Sequence, residues 1–337
     1  MSFIMRLKIA LIVRRKVFKI NFFIFSLIIT LFFTACEDKK EHKLLKVGIT
    51  PWPGYEPLVI ASEKGYFNDA NIRLVRFTTP TDSYRAFRDG IIDVTAFTAD
   101  EVFHYADVEN KPHIFLVLDI SNGADAIVAR KEIKTLDGLK GKKIGIEGSS
   151  LGDYLIHRAL DFTEKLAIKD MKFVHVPIGK QEDAYRRGEI DAAVTYEPSK
   201  SRLVKAGAHV LFDSKKLPHE IVDVLVANNK TMTTRSDDLR ILAEGWFSAL
   251  EYIKTNKKEA MQRMAKYEFI SVEDFTKGFN DLIIPFKEDN LKMLRENGSL
   301  LKPMQRLAEL MFQKGTLKKK IDVKPLLDNQ IIESLKK

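Results

Sequence analysis

The sequence predicts an α/β protein of two similar lobes, joined by a hinge of two strands and finished by a helical tail packed on lobe one. Three observations carry this. An α/β unit is written twice at a nearly constant offset, two further strands follow each copy, and a helical period dominates the chain after about Thr234.

The repeat is legible strand by strand. Lys46-Val47-Gly48-Ile49-Thr50 returns as Lys143-Ile144-Gly145-Ile146-Glu147, 97 residues later. Ile72 to Phe77 alternates apolar with basic side chains, and so does Met171 to Val176. The third element, Phe87-Arg88-Asp89-Gly90-Ile91-Ile92-Asp93, is matched by Tyr185-Arg186-Arg187-Gly188-Glu189-Ile190-Asp191. A glycine there closes a helix in the left-handed conformation and the chain turns directly into a strand. Each copy therefore reads as β-α-β-α-β, with parallel strands and helical crossovers. Loops leaving the strand ends gather on one edge of such a sheet, so two blocks facing each other enclose a cleft.

The remaining segments set the domain order. His113 to Ser121 and Ala124 to Arg130 read as strands leading out of the first block, and His209 to Asp213 and Asp223 to Ala227 as strands returning. Two crossings allow the lobes to close without unfolding. Leu239, Leu242, Trp246, Leu250 and Ile253 share one face of a helix. Residues 46–128 and 225–337 are assigned to lobe one and 129–224 to lobe two.

The first 35 residues carry six basic side chains and no acid, and Ile20 to Ala35 is almost wholly apolar. This is the pattern of an export signal, and its 16-residue apolar stretch is short of the about 20 residues that span a bilayer. Phe33-Thr34-Ala35-Cys36 resembles a lipobox, which implies cleavage before Cys36 and acylation of it; an ordinary A-x-A-like cut would instead leave a stray thiol. Residues 36–45 then form a charged tether. With one cysteine the protein makes no internal disulfide. The leader holds six of the 55 Lys and Arg, leaving 49 against 46 acids, a formal charge of +3 that offers nucleic acid little. Seven histidines without paired spacing suggest no metal, and no cofactor is called for.

Further landmarks are Gly48-Ile-Thr-Pro-Trp-Pro-Gly-Tyr-Glu-Pro57, Glu63-Lys-Gly-Tyr-Phe67, the two Gly-x-Ile-Asp elements and Thr195-Tyr-Glu-Pro198. With these, Leu45 to Asn228 resembles the solute receptors of nitrate, sulfonate, taurine and thiamine-precursor ABC importers, the NMT1-like proteins. The resemblance implies a type II periplasmic-binding-protein fold, a small organic ligand, permease and ATPase partners, and no catalysis; with the leader and lipobox it implies an exported protein, lipid-anchored at the periplasmic face of the bacterial cell envelope. A monomer is expected, because the lobes must move freely. Pyrimidine-making members of the superfamily carry a cysteine-rich pattern that this chain lacks.

The strand-to-helix loops supply the candidate ligand contacts. Trp52 and Tyr55 offer flat walls, Gly54 a close backbone approach, and Glu56 a charge. Trp52 and Tyr55 would otherwise only cover the sheet end. Thr79 and Asp82 either touch ligand or cap a helix, and Thr98 with Glu101 fits a capping box that leaves Asp100 facing the cleft. From lobe two come Ser149 and Ser150, whose loop suits a polar group, with Tyr196 and Glu197; Glu197 would otherwise serve the helix dipole. Asp125 stands at the lobe junction. So acidic a set disfavours nitrate and favours a flat organic solute with a hydrogen-bond-donating or cationic group.

Two rival readings remain. Gly148-Ser149-Ser150-Leu151-Gly152 fits the elbow of a serine hydrolase, with Ser150 needing His209 or His219 and Asp191 or Glu197. A binding protein that reports to a sensor would show the same sequence features.

Overall fold

The computed structural model describes residues 43–108, 111–148 and 150–335. The expected leader, Cys36, most of the tether and Ser149 lie outside the described residues, as does the side chain of Ser150.

In chain order the first block comprises β1 (Leu45–Ile49), α1 (Glu56–Glu63), β2 (Ile72–Arg76), α2 (Pro80–Arg88), β3 (Val94–Thr98) and α3 (Ala99–Asp107). β4 (Pro112–Ser121) and β5 (Asp125–Ala129) lead to β6 (Lys143–Ile146), α4 (Ser150–Leu160), β7 (Lys172–His175), α5 (Gln181–Arg186), β8 (Ala192–Tyr196) and α6 (Ser199–Lys205). β9 (His209–Asp213) and β10 (Val222–Asn228) return. The tail runs through α7 (Asn229–Thr234), α8 (Ser236–Thr255), α9 (Lys257–Tyr267), α10 (Val272–Asn280), β11 (Leu282–Ile283), α11 (Lys287–Leu294), α12 (Leu301–Gln313) and α13 (Gln330–Ser334).

These strands form two separate sheets, ordered β11-β4-β10-β3-β1-β2 and β7-β6-β8-β5-β9. In the first, β1 runs parallel to β2 and β3 while β10 is antiparallel to β3. The second repeats that plan: β6 runs parallel to β7 and β8 while β5 is antiparallel to β8. One difference from expectation is β5. Assigned from sequence to lobe one, it pairs with β8 and β9 in the second sheet, because the chain changes sheets immediately after Ser121.

The repeated residues do the same work in each sheet. Gly48 and Gly145 lie opposite Thr95 and Ala193. A Cβ on Gly48 would come within 2.4 Å of Ile92 Cδ1, and one on Gly145 within 2.8 Å of Ile190 Cδ1. The glycine thus makes room for the isoleucine of each Gly-x-Ile-Asp element. The aspartates of those elements, Asp93 and Asp191, accept from the backbone N–H of Lys46 and Lys143, at 2.8 and 2.9 Å, and so pin the third strand beside the first. Gly90 and Gly188 have φ of +70° and +74°, the left-handed turn from helix to strand that the motif requires.

Two short crossings, after β4 and before β10, join the sheets. They are tied together: Ser121 N–H donates to Ile221 O at 3.0 Å, Ser121 and Ser214 share a 2.7 Å hydroxyl bond, and Gly123 N–H donates to Ser214 Oγ at 2.6 Å. The tail packs on the first sheet. Leu239, Leu242, Trp246, Leu250 and Ile253 of α8 are buried as one face, and Phe67 lies against Gly245. Asn290 of α11 reaches into β4, where its amide accepts from Val117 N–H at 2.7 Å and donates to Val117 O at 3.1 Å. The tail also reaches the second lobe, through Lys200–Asp281 and Lys205–Asp274 pairs at 2.7 and 2.6 Å.

Candidate functional site

Parallel strands of both sheets end on the same gap. A cleft lies there whose empty space, open mouth included, is about 600 Å³, of which about 50 Å³ is enclosed room for water-sized molecules. The first block contributes Thr50, Pro51, Trp52 and Tyr55 after β1, Pro80 at the start of α2, and Thr98, Asp100 and Glu101 at the β3–α3 junction. The second contributes Glu147 after β6, Leu151 in α4 and Tyr196 at the end of β8, while Asp125, Ile221 and Asp223 come from the hinge strands and their approach. Trp52 and Tyr196, from opposite lobes, meet edge to face with ring centroids 5.9 Å apart.

Of the residues expected in the cleft, Trp52, Tyr55, Thr98, Asp100, Asp125 and Tyr196 line it. The others do different work. Gly54 faces Asp119: an added Cβ would sit 1.9 Å from Asp119 Oδ2, so the glycine makes room for a carboxylate of the protein itself. Glu56 is fully buried and held by Arg76 through contacts of 2.7 and 3.3 Å, because Arg76 ends the neighbouring strand β2. Thr79 and Asp82 are a cap: Thr79 Oγ accepts from Asp82 N–H at 3.2 Å and donates to Asp82 Oδ2 at 2.8 Å. Glu197 turns back onto α6, accepting from Ser201 N–H at 3.1 Å and Ser201 Oγ at 3.0 Å, with Lys200 Nζ at 3.3 Å. Its place is at that helix's N-terminus, where a carboxylate is favoured.

Glu101 joins the cavity wall while accepting from Thr98 N–H at 3.0 Å, so capping does not take it out of the cleft. Glu147 was legible in the repeat, since it follows β6 as Thr50 follows β1 and both line the cavity. Asp223 and its neighbour Asp119 carried no such sign, because the antiparallel hinge strands lie outside the repeated unit. Opposite each other in the β4–β10 ladder, these two are fastened from below: Trp52 Nε1 donates to Asp119 Oδ2 at 3.0 Å and the Tyr55 hydroxyl to Asp223 Oδ1 at 2.6 Å.

Burial governs the charges. It pushes Asp119 and Asp125 up to about 7 and Glu101 up to about 8, the last reinforced by the neighbouring Asp100 charge. Burial, with the Asp119 charge beside it, also raises Asp223 well above the ordinary carboxylate range. Asp125 is 2% exposed, and its Oδ2 has no hydrogen-bond partner among the described residues. Such a site can take a hydrogen-bond donor or a cation beside its aromatic lining.

Of the hydrolase reading, only the described partners can be placed. Neither His209 nor His219 lines the cavity, and Asp191 is spent on Lys143 at the opposite end of β8 from Tyr196.

A model of the NMT1-like family matches residues 38–268. A protein of Bacillus subtilis (strain 168) named for aliphatic sulfonate binding is 24% identical over 318 residues, spanning 89% of this chain and 90% of its own. One of Haemophilus influenzae (strain ATCC 51907 / DSM 11121 / KW20 / Rd), named for thiamine biosynthesis, is 24% identical over 315 residues, spanning 89% of this chain and 96% of its own. Among solved structures, the periplasmic aliphatic sulphonate binding protein SsuA from Escherichia coli superposes with a TM-score of 0.72 at 17% identity, over 86% of this chain and 99% of that one. The desulfurization enzyme DSZB does so with a TM-score of 0.66 at 14% identity, over 87% of this chain and 98% of that one. Identities this low establish a shared fold.

Proposed function

Since the chain belongs to the NMT1-like family, we propose that it is the solute receptor of an ABC importer, closing two lobes over a small organic molecule and passing it to a permease driven by an ATPase. The observation that carries this reading is the cavity lined by Trp52 and Tyr55 from one lobe and by Glu147, Leu151 and Tyr196 from the other, beside a two-strand hinge. A hinge between two rigid sheets converts ligand contacts on both faces into closure. Thr98, Asp100, Asp125, Glu147 and Asp223 are the polar contacts, and Trp52, Tyr55 and Tyr196 the apolar lining. The protein acts as a monomer and needs no cofactor.

Export and anchoring belong to the same proposal. The basic, apolar leader carries the chain across the membrane, and Cys36 is acylated after cleavage. Mass spectrometry of the mature N-terminus is expected to find a lipid on Cys36, and Cys36→Ser is expected to release the protein from membranes. An unmodified thiol in the mature protein would remove the anchor and leave the receptor reading intact.

An enzymatic reading has one observation in its favour: carboxyls that hold protons near neutral pH, as Glu101 and Asp125 do, suit general acid catalysis. Incubation with the bound solute separates the two. The receptor returns it with unchanged mass, and an enzyme returns a product.

A further inference from the structure

We propose that the solute is an organic cation with a flat body, an arylmethyl amine, aryl amidine or aryl guanidine in chemical class, whose charged group is seated on Asp125 and the carboxylates around it. This rests on the receptor reading and names its ligand class.

The first ground is Asp125 itself. A carboxylate oxygen buried with no donor is costly, and the described chain supplies none for Oδ2, so a donor belonging to the ligand is what the position accommodates. The second is the surrounding charge. Asp100 from α3 and Glu197 before α6 act on Asp125, and the Asp125 charge in turn acts on Asp119 from β4 and Asp223 from β10. The cation that acts on it, Lys200, is already bonded to Gly123 O and Asp281 at 2.7 Å each and to Glu197 at 3.3 Å. Little positive charge is therefore left to meet a sulfonate or carboxylate ligand. The third is the aromatic lining: Trp52, Tyr55 and Tyr196 border the cavity, and ring surface favours a planar body and attracts a cation. Tyr196 also donates its hydroxyl to Glu147 at 3.3 Å, which turns that carboxylate toward the same space.

A consequence is exchange for protons. Without ligand, burial keeps Asp125 and Asp119 partly protonated at neutral pH; a cation arriving beside them favours the ionised form and expels protons. Affinity then rises as the pH goes from about 6 to about 8.

Calorimetric titration of the purified full-length protein with benzylamine, benzamidine and phenylguanidine, against benzyl alcohol, benzenesulfonate and calcium ion, tests this. At least one aryl cation is expected to bind, more tightly at pH 8 than at pH 6, with proton release seen as a buffer-dependent heat at pH 6.5. Asp125→Asn is expected to weaken that binding by roughly 30-fold or more while unfolding as cooperatively as the parent. Binding of benzenesulfonate or benzyl alcohol as tight as that of the cations, binding of calcium alone, pH-independent affinity, undiminished affinity in Asp125→Asn, or no binding by any cation would overturn the inference. Sulfonate or alcohol binding leaves the receptor reading standing. That reading falls if no probe binds and protein exposed to cell extract carries no small molecule, or if a captured molecule is returned chemically altered.

Discussion

At the scale of single residues, two glycines of the repeat separate two kinds of necessity. Gly90 holds φ at +70° with open space where a Cβ would project, so Gly90→Ala meets only backbone strain. The expected loss is about 1 to 2 kcal/mol in urea unfolding. Gly48 has ordinary φ but Ile92 Cδ1 at 2.4 Å from a built Cβ, so Gly48→Ala overpacks the sheet and is expected to cost about 1 to 3 kcal/mol. Pairing Gly48→Ala with Ile92→Val is expected to recover part of that loss, and no comparable rescue exists for Gly90→Ala.

The buried carboxyls set a pH dependence of stability with a definite sign. Asp119, Asp125 and Glu101 keep protons in the folded protein up to about 7, 7 and 8, whereas an unfolded chain releases them in the ordinary carboxylate range. Between about pH 4 and 8 the folded state therefore binds more protons than the unfolded one, and stability falls as pH rises. Glu220 and Asp274, whose partners Arg158 and Lys205 help lower them, act instead at the acid end. Thermal melts of ligand-free protein are expected to show a lower midpoint at pH 8 than at pH 5. Asp125→Asn is expected to flatten the slope.

At the scale of elements, legibility in the sequence followed the repeat. β1, β2, β3 and their second copies could be placed because each is fixed by a pattern that recurs: the glycine facing isoleucine, the aspartate pinning a backbone amide, the left-handed turn. Glu147 could have been found from Thr50 by the same logic. Asp223 and Asp119 could not, because they are brought to the cleft by antiparallel pairing of β4 with β10, a contact between residues about a hundred positions apart that leaves no local trace. Glu56 and Glu197 misled for a related reason. Their partners, Arg76 and Lys200, remove them from the cleft, and helix-start position alone does not reveal that.

The hinge is reinforced where α6, the tail and the first crossing meet. Lys200, buried, bonds Gly123 O, Glu197 and Asp281, and so links all three. Lys200→Met leaves Glu197 buried without its cation and is expected to cost about 3 to 5 kcal/mol. The double variant Lys200→Met with Glu197→Gln is expected to cost clearly less, a comparison that urea denaturation makes directly.

At the scale of the whole molecule, the two sheets are similar units turned loop edge to loop edge, with the tail bound to the first and touching the second. On the proposed function, opening and closing about the paired crossings is the motion used, and the polar groups that line the gap are what it would close on. The proposed receptor uses the chemistry of the gap to select the guest and the hinge to report its arrival, and it returns the guest unchanged. Native mass spectrometry of protein repurified after exposure to cell extract addresses this most directly, read before and after denaturation. The prediction is one organic molecule per chain, released at the mass it had before capture; a chain that never retains a small molecule, or one that returns it chemically altered, would contradict the account.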